Sequence, residues 1–237
     1  MNMTQFTLQF DGQDDYIEVP DNDNLSITDA GLSVSAWMRP DALVFPKSQG
    51  TGYVHWLGKG QAGVQEWTFR MYNEVTTDHP PRPNRISFYI FNPTGAEGVG
   101  SYFQDPTTQG AWIQVVGVVD NRLKRTAIYK NGQFRRCDRY QQSGDGGCEY
   151  HNLEIQPQFG GAPMRIGTRD FESFFVGAIK EVRVWSRPLT DAEVTALYSG
   201  TVPSEGLVAE YLLSMDTAVD TASGNNGTIY GATWHKE

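Results

Sequence analysis

The segment 174–200 constrains the fold most, and it reads F-F-V-G-A-I-K-E-V-R-V-W-S-R-P-L-T-D-A-E-V-T-A-L-Y-S-G. Its first half is rich in β-branched and aromatic residues that alternate along the chain, which predicts a strand with one dry face. One predicted face carries Val182 and Val184, and the opposite face carries Ile179, Glu181, Arg183 and Trp185. The segment therefore begins with one long strand.

A helix is predicted directly after this strand. Pro188 ends the extended run, and Thr190 with Glu193 forms the capping box that opens a helix. The apolar stripe of this helix and its C-terminal glycine are Val194, Leu197, Tyr198 and Gly200. One capped helix among many short alternating segments predicts an all-β sandwich with a single packing helix.

Length and composition agree with one domain. All-β sandwiches of 237 residues commonly form a single domain, so we assign residues 1–237 to one domain. The 25 Gly and 12 Pro suit short strands that are joined by tight turns. Because no long uninterrupted apolar run occurs, we predict no insertion into a membrane.

Charge and the N-terminal residues bear on partners and location. The net charge of −9 opposes general attraction to nucleic acid and anionic lipid, so neutral or cationic partners are expected. The first residues, M-N-M-T-Q-F-T-L-Q-F-D-G, contain no basic segment followed by an apolar one, so no signal peptide is predicted. The localisation stays open, since the protein either remains inside the cell or forms part of a larger exported chain.

Three further segments carry strong β signals. Leu32, Val34, Ala36 and Met38 alternate with Ser33, Ser35 and Trp37. Residues 111–120 are almost continuously apolar, which predicts a central strand that is buried on both faces. The pair Asn131-Gly132 separates two alternating runs and predicts a hairpin.

Cys137 and Cys148 are the only cysteines and fall in one Gly-rich stretch. A disulfide between them would close a short loop and stabilise the fold by about 3 kcal/mol in the loop-entropy model. Two free thiols in a reducing compartment fit the sequence equally well. Both interpretations stay open.

Several segments together carry a family resemblance, namely L-Q-F-D-G-Q-D-D-Y-I-E-V-P, L-S-V-S-A-W-M-R-P, G-A-W-I-Q-V-V-G-V-V-D, I-Y-K-N-G-Q, M-R-I-G and F-V-G-A-I-K-E-V-R-V-W-S-R-P-L-T-D-A-E-V. In this order they resemble the laminin-G-like, concanavalin A-like jelly-roll domain. The resemblance implies two antiparallel sheets, one of them curved, that pack face to face. The C-terminal segment resembles one that precedes the first strand in many such domains. It should therefore lie beside residues 6–10, an arrangement that suits tandem domains or a larger parent chain.

The resemblance also implies sugar and calcium binding. Many relatives carry an Asp just before the run that reads E-V-R-V-W here, but this chain has Lys180, which puts calcium in doubt. An ammonium cannot ligate calcium, although it could replace the cation beside the same carboxylates or reach solvent. Acidic candidates elsewhere are residues 11–15, residues 21–24 and Asp216 with Asp220. Asp11 and Asp216 are the predicted calcium ligands.

Catalytic motifs are absent from the sequence. Related glycosidases place alternating carboxylates on one strand as E-x-D-x-E or E-x-D-x-x-E, and no such run occurs. The four His lack H-E-x-x-H spacing. We therefore favour a non-catalytic, lectin-like module that binds carbohydrate. The alternatives are a protein–protein or adhesion module of a larger chain and a jelly-roll enzyme with an unrecognised site.

The predicted ligand site combines aromatic rings, on which sugars stack, with polar groups from two irregular segments, 73–85 and 135–162. Its members are Trp56, Trp67, Tyr72, His79, Arg82, Arg139 and Tyr150. Trp37, Trp112 and Trp185 are assigned to the core, whereas Trp56 and Trp67 fit the core or the site equally well. We expect the two irregular segments to approach one another on one side of the sandwich.

Overall fold

The computed structural model describes residues 6–79, 81–92, 98–135, 159–214 and 217–236. In these residues, two antiparallel sheets pack face to face around one large apolar core, which confirms the predicted jelly-roll sandwich. Cys137, Cys148, Arg139, Tyr150 and Asp216 lie outside the described residues, so the predictions that rest on them stay predictions.

The larger sheet has eight strands among the described residues. Across the sheet their order is β10 (Gln133–Arg135), β9 (Arg125–Lys130), β8 (Ile113–Asp120), β3 (Gly31–Pro40), β12 (Val176–Trp185), β1 (Phe6–Asp11) and β15 (Thr233–Lys236). The eighth strand, β13 (Leu207–Tyr211), pairs with the second half of β12, whose first half pairs with β1.

The smaller sheet has seven strands among the described residues. Their order is β14 (Thr228–Tyr230), β2 (Tyr16–Val19), β11 (Met164–Ile166), β4 (Tyr53–Gln61), β5 (Val64–Tyr72), β6 (Ile86–Phe91) and β7 (Gly98–Phe103). The sequence places many of these strands far apart, so the sheet depends on long-range pairing.

The alternation in β3 works as predicted, because Leu32, Val34, Ala36 and Met38 are all buried in the core. The two sheets come close where β8 crosses β6. A Cβ at Gly117 would lie 2.4 Å from the Phe88 ring, so this position accepts only glycine without a shift of its neighbours.

Strand β8 is buried on both sides, as predicted. Val115 and Val119 face the core between the sheets, whereas Val116 and Val118 face the helix α1 (Asp191–Tyr198). The helix begins with the predicted capping box of Thr190 and Glu193. In the described residues, no helix has the length and apolar character that crossing a bilayer requires.

The predicted faces of β12 require a correction. Ile179, Val182 and Val184 all belong to the core between the sheets, although the sequence alternation separates Ile179 from the two valines. A β-bulge explains the difference, because the pairing with β3 shifts between Lys180 and Arg183, and Glu181 has a φ of 52°. The extra residue inverts the side-chain alternation from that point on.

The terminal strands confirm the predicted neighbourhood. Strand β15 pairs with β1, and Leu8 lies opposite Trp234. Between β14 and β15 the chain leaves one sheet and enters the other at Gly231, which has a φ of 72°. A Cβ at this position would lie 2.1 Å from Asp15 Oδ1, so the close approach of the chain to Asp15 requires glycine.

Two smaller predictions have different outcomes. Asn131 and Gly132 have φ values of 52° and 75°, as the predicted β9–β10 hairpin turn requires. Trp37 and Trp112, however, are only half-buried on the outside of the larger sheet. Trp37 stacks on Tyr198 of the helix at a centroid distance of 5.7 Å, so it covers the surface of the sheet and not the core.

Candidate functional site

Trp56 and Trp67 have 0% exposure in the core, so their predicted role as ligand contacts is wrong. Trp67 shares its side of β5 with Phe69 and Met71, and its Nε1–H donates to the Leu25 carbonyl at 2.9 Å. Trp56 packs on Phe69 at a ring-centroid distance of 4.9 Å. The strand alternation that buries these rings turns the other half of the β5 side chains outward.

That outward side of the smaller sheet is the candidate site, and we call it the arginine face. Its defining side chains are Tyr53, His55, Arg70, Tyr72, Arg85, Tyr89, Phe91, Tyr102, Arg165 and Arg169. One row across the strands pairs His55 with Arg70 and Arg70 with Ser87. The neighbouring positions Phe69 and Phe88 belong to the core, which fixes the orientation of the row.

Arg70 lies at the centre of the arginine face. Its Nε donates to His55 Nε2 at 3.0 Å. Its guanidinium carbon lies 4.9 Å from the centroid of the Tyr53 ring, 4.6 Å from that of Tyr89 and 5.5 Å from that of Phe91. Stacking on aromatic rings and a hydrogen bond to one nitrogen restrict the rotation of a guanidinium. Arg70 is therefore held in a defined orientation.

His55 is the buried hydrogen-bond acceptor of Arg70. Burial, with the positive charges of Arg169 and Arg70, lowers the pKa of His55 to about 3. The ring is therefore neutral near pH 7, and because Nε2 accepts from Arg70, its proton lies on Nδ1. That nitrogen is 3.8 Å from Asp170 Oδ1, which orients the ring without a hydrogen bond of normal length.

Asp170 and Arg169 come from the loop after β11 and form a buried ion pair. Burial by itself would raise the pKa of Asp170, but its contact with His55 and the charge of Arg169 hold that pKa well below the usual range. Asp170, His55 and Arg70 thus form one connected polar cluster, in which Asp170 is far from the other two residues in the sequence.

The predicted residues Tyr72 and Arg82 meet at one edge of the arginine face. Arg82 Nη1 donates to the Tyr72 hydroxyl at 3.0 Å, and Arg82 Nε lies 3.7 Å from Asp78 Oδ2. His79 is exposed in the same loop. Next to them, the Arg85 guanidinium stacks 3.9 Å from the Tyr102 ring centroid. Tyr72 is itself buried, with 2% exposure, and the predicted role of Arg82 and His79 as ligand contacts stays a prediction.

The opposite edge of the face carries exposed aromatic rings. Tyr16 stacks on Tyr230 at a centroid distance of 4.6 Å with 13° between the planes, and Phe171 meets Tyr16 edge-on at 5.0 Å. Phe171 and Tyr230 are each 42% exposed. Phe171 also adopts a φ of 67°, a left-handed conformation that is costly for an aromatic residue. Arg165 joins this group to the centre of the face, since its guanidinium lies 4.3 Å from the Phe171 ring centroid.

The predicted calcium ligands have separate outcomes. Asp11 ends β1, Asp14 and Asp15 lie in the turn after it, and one carboxylate oxygen of each lies within 4.8 Å of the others. Carboxylate oxygens are the donors that calcium prefers, so this turn fits the ion chemically, and calcium binding stays a prediction. The turn 21–24 does not fit, because Asp21 pairs with Lys59 at 2.7 Å.

Asp220 and Lys180 also belong to the calcium prediction. Asp220 accepts hydrogen bonds from Glu210 N, Ala222 N, Asn225 N and the Ser223 hydroxyl, so both of its oxygens hold a turn. The Lys180 ammonium lies 4.4 Å from the Trp112 ring centroid. The hypothesis that Lys180 replaces a cation beside carboxylates stays a prediction, because Asp216, one of the predicted calcium ligands, lies outside the described residues.

Sequence reasoning missed the residues at the centre of the face, above all His55, Arg70, Tyr89 and Asp170. A signal for Arg70 was present. In β5 the apolar Trp67 and Phe69 alternate with Thr68 and Arg70, which assigns the tryptophan to the core and Arg70 to the surface. No local pattern marks Asp170, because only the pairing of β11 with β4 brings it to His55.

The fold and the site allow comparison with known proteins. A model of the concanavalin A-like lectin/glucanases superfamily matches residues 11–195. The chain belongs to this superfamily. The match runs from the end of β1 into the helix α1 and thus includes strands of both sheets. By sequence, no curated protein matches the chain.

Solved structures share the architecture. A proposed carbohydrate-binding protein from Bacteroides ovatus is 20% identical with a TM-score of 0.63, and the alignment covers 98% of this chain and 60% of that protein. The heptameric SAP-like pentraxin of Limulus polyphemus is 17% identical with a TM-score of 0.62, over 100% of this chain and 97% of its own.

A third structure is domain 4 of the extracellular arabinanase AbnA from Geobacillus stearothermophilus, which was solved in complex with arabinotriose. It is 19% identical with a TM-score of 0.50, over 77% of this chain and 72% of that domain. At these identities, the three structures show a shared fold. This chain spans less than two thirds of the length of the Bacteroides protein.

Proposed function

We propose that the chain is a non-catalytic module that binds carbohydrate on the arginine face. The observation that carries this proposal is the central group of Arg70, Tyr53 and Tyr89, which are half-buried on a sheet surface while the helix α1 packs on the other sheet. Aromatic rings stack on the C–H faces of sugars, and charged or amide groups bind the hydroxyls. The arginine face offers both kinds of group side by side.

The ligand that fits this face is a chain of several sugars. The aromatic rings of Tyr16, Phe171 and Tyr230 lie at one edge of the sheet, whereas the half-buried Tyr89 lies on β6, one strand from the opposite edge. At the usual spacing of neighbouring strands, seven strands span about 29 Å. A single sugar would contact only a fraction of that width, whereas an oligosaccharide would cross from one aromatic group towards the next.

The structural relatives support a binding role. One is a proposed carbohydrate-binding protein, and another was solved with a bound arabinotriose. Their low identity leaves the ligand of this chain open, so the proposal depends on the residues of the arginine face. A protein ligand is the main alternative and would use the same exposed face.

A glycan array tests the proposal with two matched tyrosine variants. Tyr89→Ala removes a ring from the arginine face, and Tyr198→Ala removes a 43% exposed ring from the helix on the opposite side of the sandwich. We expect binding of the best glycan to fall at least about fivefold for Tyr89→Ala and to stay unchanged for Tyr198→Ala.

Three results would contradict the proposal. Equal binding by both variants would move the site away from the arginine face. Capture of a protein ligand without any glycan binding would favour the adhesion alternative. Cleavage of the bound glycan, detected as newly released sugar ends, would show an enzyme.

A further inference from the structure

The arginine face has a charge opposite to that of the whole chain. The protein carries a net charge of −9. The arginines of this face are Arg70, Arg82, Arg85, Arg165 and Arg169. The carboxylates that pair with them in the described residues are Glu18, Asp78 and Asp170. The face is therefore locally positive, so net charge alone is a poor guide to its ligand.

Arg70 and Arg85 are the two arginines of the face that no carboxylate of the described residues reaches. Arg85 is buried, and Gln104 Oε1 accepts from its Nε at 3.2 Å and from its Nη2 at 2.9 Å. Arg70 is more accessible, and its described hydrogen bond uses Nε alone. Among the described residues, the two Nη groups of Arg70 therefore stay available to a ligand.

A second guanidinium lies beside Arg70. Both Arg70 and Arg169 approach the Phe91 ring, at 5.5 Å and 5.8 Å from its centroid. Arg169 has a carboxylate partner in Asp170, but its buried Nη1 has no hydrogen-bond acceptor in the part of the chain that the structure describes. Burial and the positive charge of Arg70 lower the pKa of Arg169, so the two like charges repel each other, and a buried donor without an acceptor is costly. A bound anion would reduce both penalties.

We propose that the glycan on the arginine face carries an acidic group, either a carboxylate or a sulfate, which binds to the Nη groups of Arg70. A planar guanidinium binds such groups through two parallel hydrogen bonds. Because Tyr53, Tyr89 and His55 already hold Arg70 in place, little conformational entropy is lost when the anion binds. This inference rests on the proposed carbohydrate-binding function and names the class of carbohydrate.

The test compares acidic glycans with neutralised forms of the same chains. Oligogalacturonates and their methyl esters test the carboxylate, and sulfated galactan oligosaccharides, which carry no carboxylate, and their desulfated forms test the sulfate. In an array that also contains neutral glycans, we expect the protein to bind at least one acidic glycan. Its neutralised form should bind at least about tenfold more weakly.

Matched variants then assign the effect to one residue. Arg70→Gln should lose at least about tenfold in affinity for the acidic glycan and little for its neutralised form. Arg122→Gln removes the same charge from an exposed turn of the other sheet and should bind like the wild type. If Arg70→Gln fails to fold by circular dichroism, Arg70→Lys keeps the charge but lacks the planar fork and should still bind several-fold more weakly.

The outcomes separate this inference from the proposed function. Binding of neutral glycans alone, or equal affinity for acidic and neutralised forms, would overturn the acidic class and leave carbohydrate binding in place. Wild-type affinity of both Arg70 variants would overturn the role of Arg70. If no glycan of any kind binds, the proposed function and this inference both fail.

Discussion

The two outward sides of the sandwich differ in what covers them. The larger sheet carries apolar residues outside as well as inside, and the helix α1 packs on part of this surface, which we call the helix-covered face. Its members are Val116, Val118, Ala127, Tyr129, Trp185, Leu189, Val194 and Leu197. The arginine face of the smaller sheet instead carries stacked cations and aromatic rings.

This difference indicates which face to test for ligand binding. An apolar outer face has to be covered by the chain itself, because exposed apolar surface is unfavourable in water. A face of aromatic rings and arginines does not need such a cover, because its charged groups tolerate contact with water and stack on the rings. The helix-covered face thus contributes to stability, and the arginine face is the one on which we propose that a ligand binds. Three predictions test this division, from the largest expected effect to the smallest.

Trp185→Ala should destabilise the domain by about 3 to 5 kcal/mol, because it leaves a large cavity under the helix. The indole is fully buried, and its Nε1–H donates to the Pro203 carbonyl at 2.8 Å. Urea unfolding measures the loss. The variant that remains folded at low temperature should bind glycan like the wild type. Reduced affinity of a fully folded variant would break the proposed division between the faces.

Acidification should lower the free energy of unfolding through His55, which lies on the arginine face. The pKa of His55 is about 3 in the folded protein and about 6.5 in the unfolded chain, so the unfolded chain binds more protons between these values. The contribution of His55 to the free energy of unfolding is therefore fully present above a pH of about 6.5 and is lost as the pH falls towards about 3. At about 1.4 kcal/mol per pKa unit, the loss amounts to a few kcal/mol.

Urea unfolding between about pH 7 and pH 4 measures this pH dependence. The range starts above the reference His pKa of about 6.5, so it includes the pH at which the loss of stability begins. His55→Gln should show a flatter dependence than the wild type. His79→Gln changes an exposed histidine near the same face and should keep the wild-type slope. Identical slopes for the wild type and His55→Gln would show that His55 is not held neutral by burial.

Thr190→Ala should cost about 1 kcal/mol, the smallest of the three effects, because it removes one side of the capping box. Glu193, the other side, also pairs with Arg187, which lowers the pKa of Glu193 to about 2. Thr190→Ser keeps the hydroxyl and should restore most of the stability in thermal unfolding. Glycan binding should not change. An unaltered melting temperature for Thr190→Ala would mean that the cap contributes little to the helix-covered face.

Local sequence patterns determined much of the architecture. The two-residue period of β3, the apolar run of β8, the Asn131-Gly132 turn and the capping box of Thr190 each depend on neighbouring residues, so their structures follow from the sequence. The resemblance to the jelly-roll family added the pairing of the first and last strands. These features describe the fold and the cover of the larger sheet.

Tertiary structure alone decided the site. The bulge at Glu181 depends on the pairing partner of β12, so the alternation by itself assigned Ile179 to the wrong face. The burial of Trp56 depends in the same way on a register shift between β4 and β5. The contact of Arg70 with His55 forms across the β4–β5 hairpin, whereas the contact of His55 with Asp170 depends on the long-range pairing of β11 with β4. Local patterns contain no information about such contacts, because the residues meet only when the smaller sheet has formed.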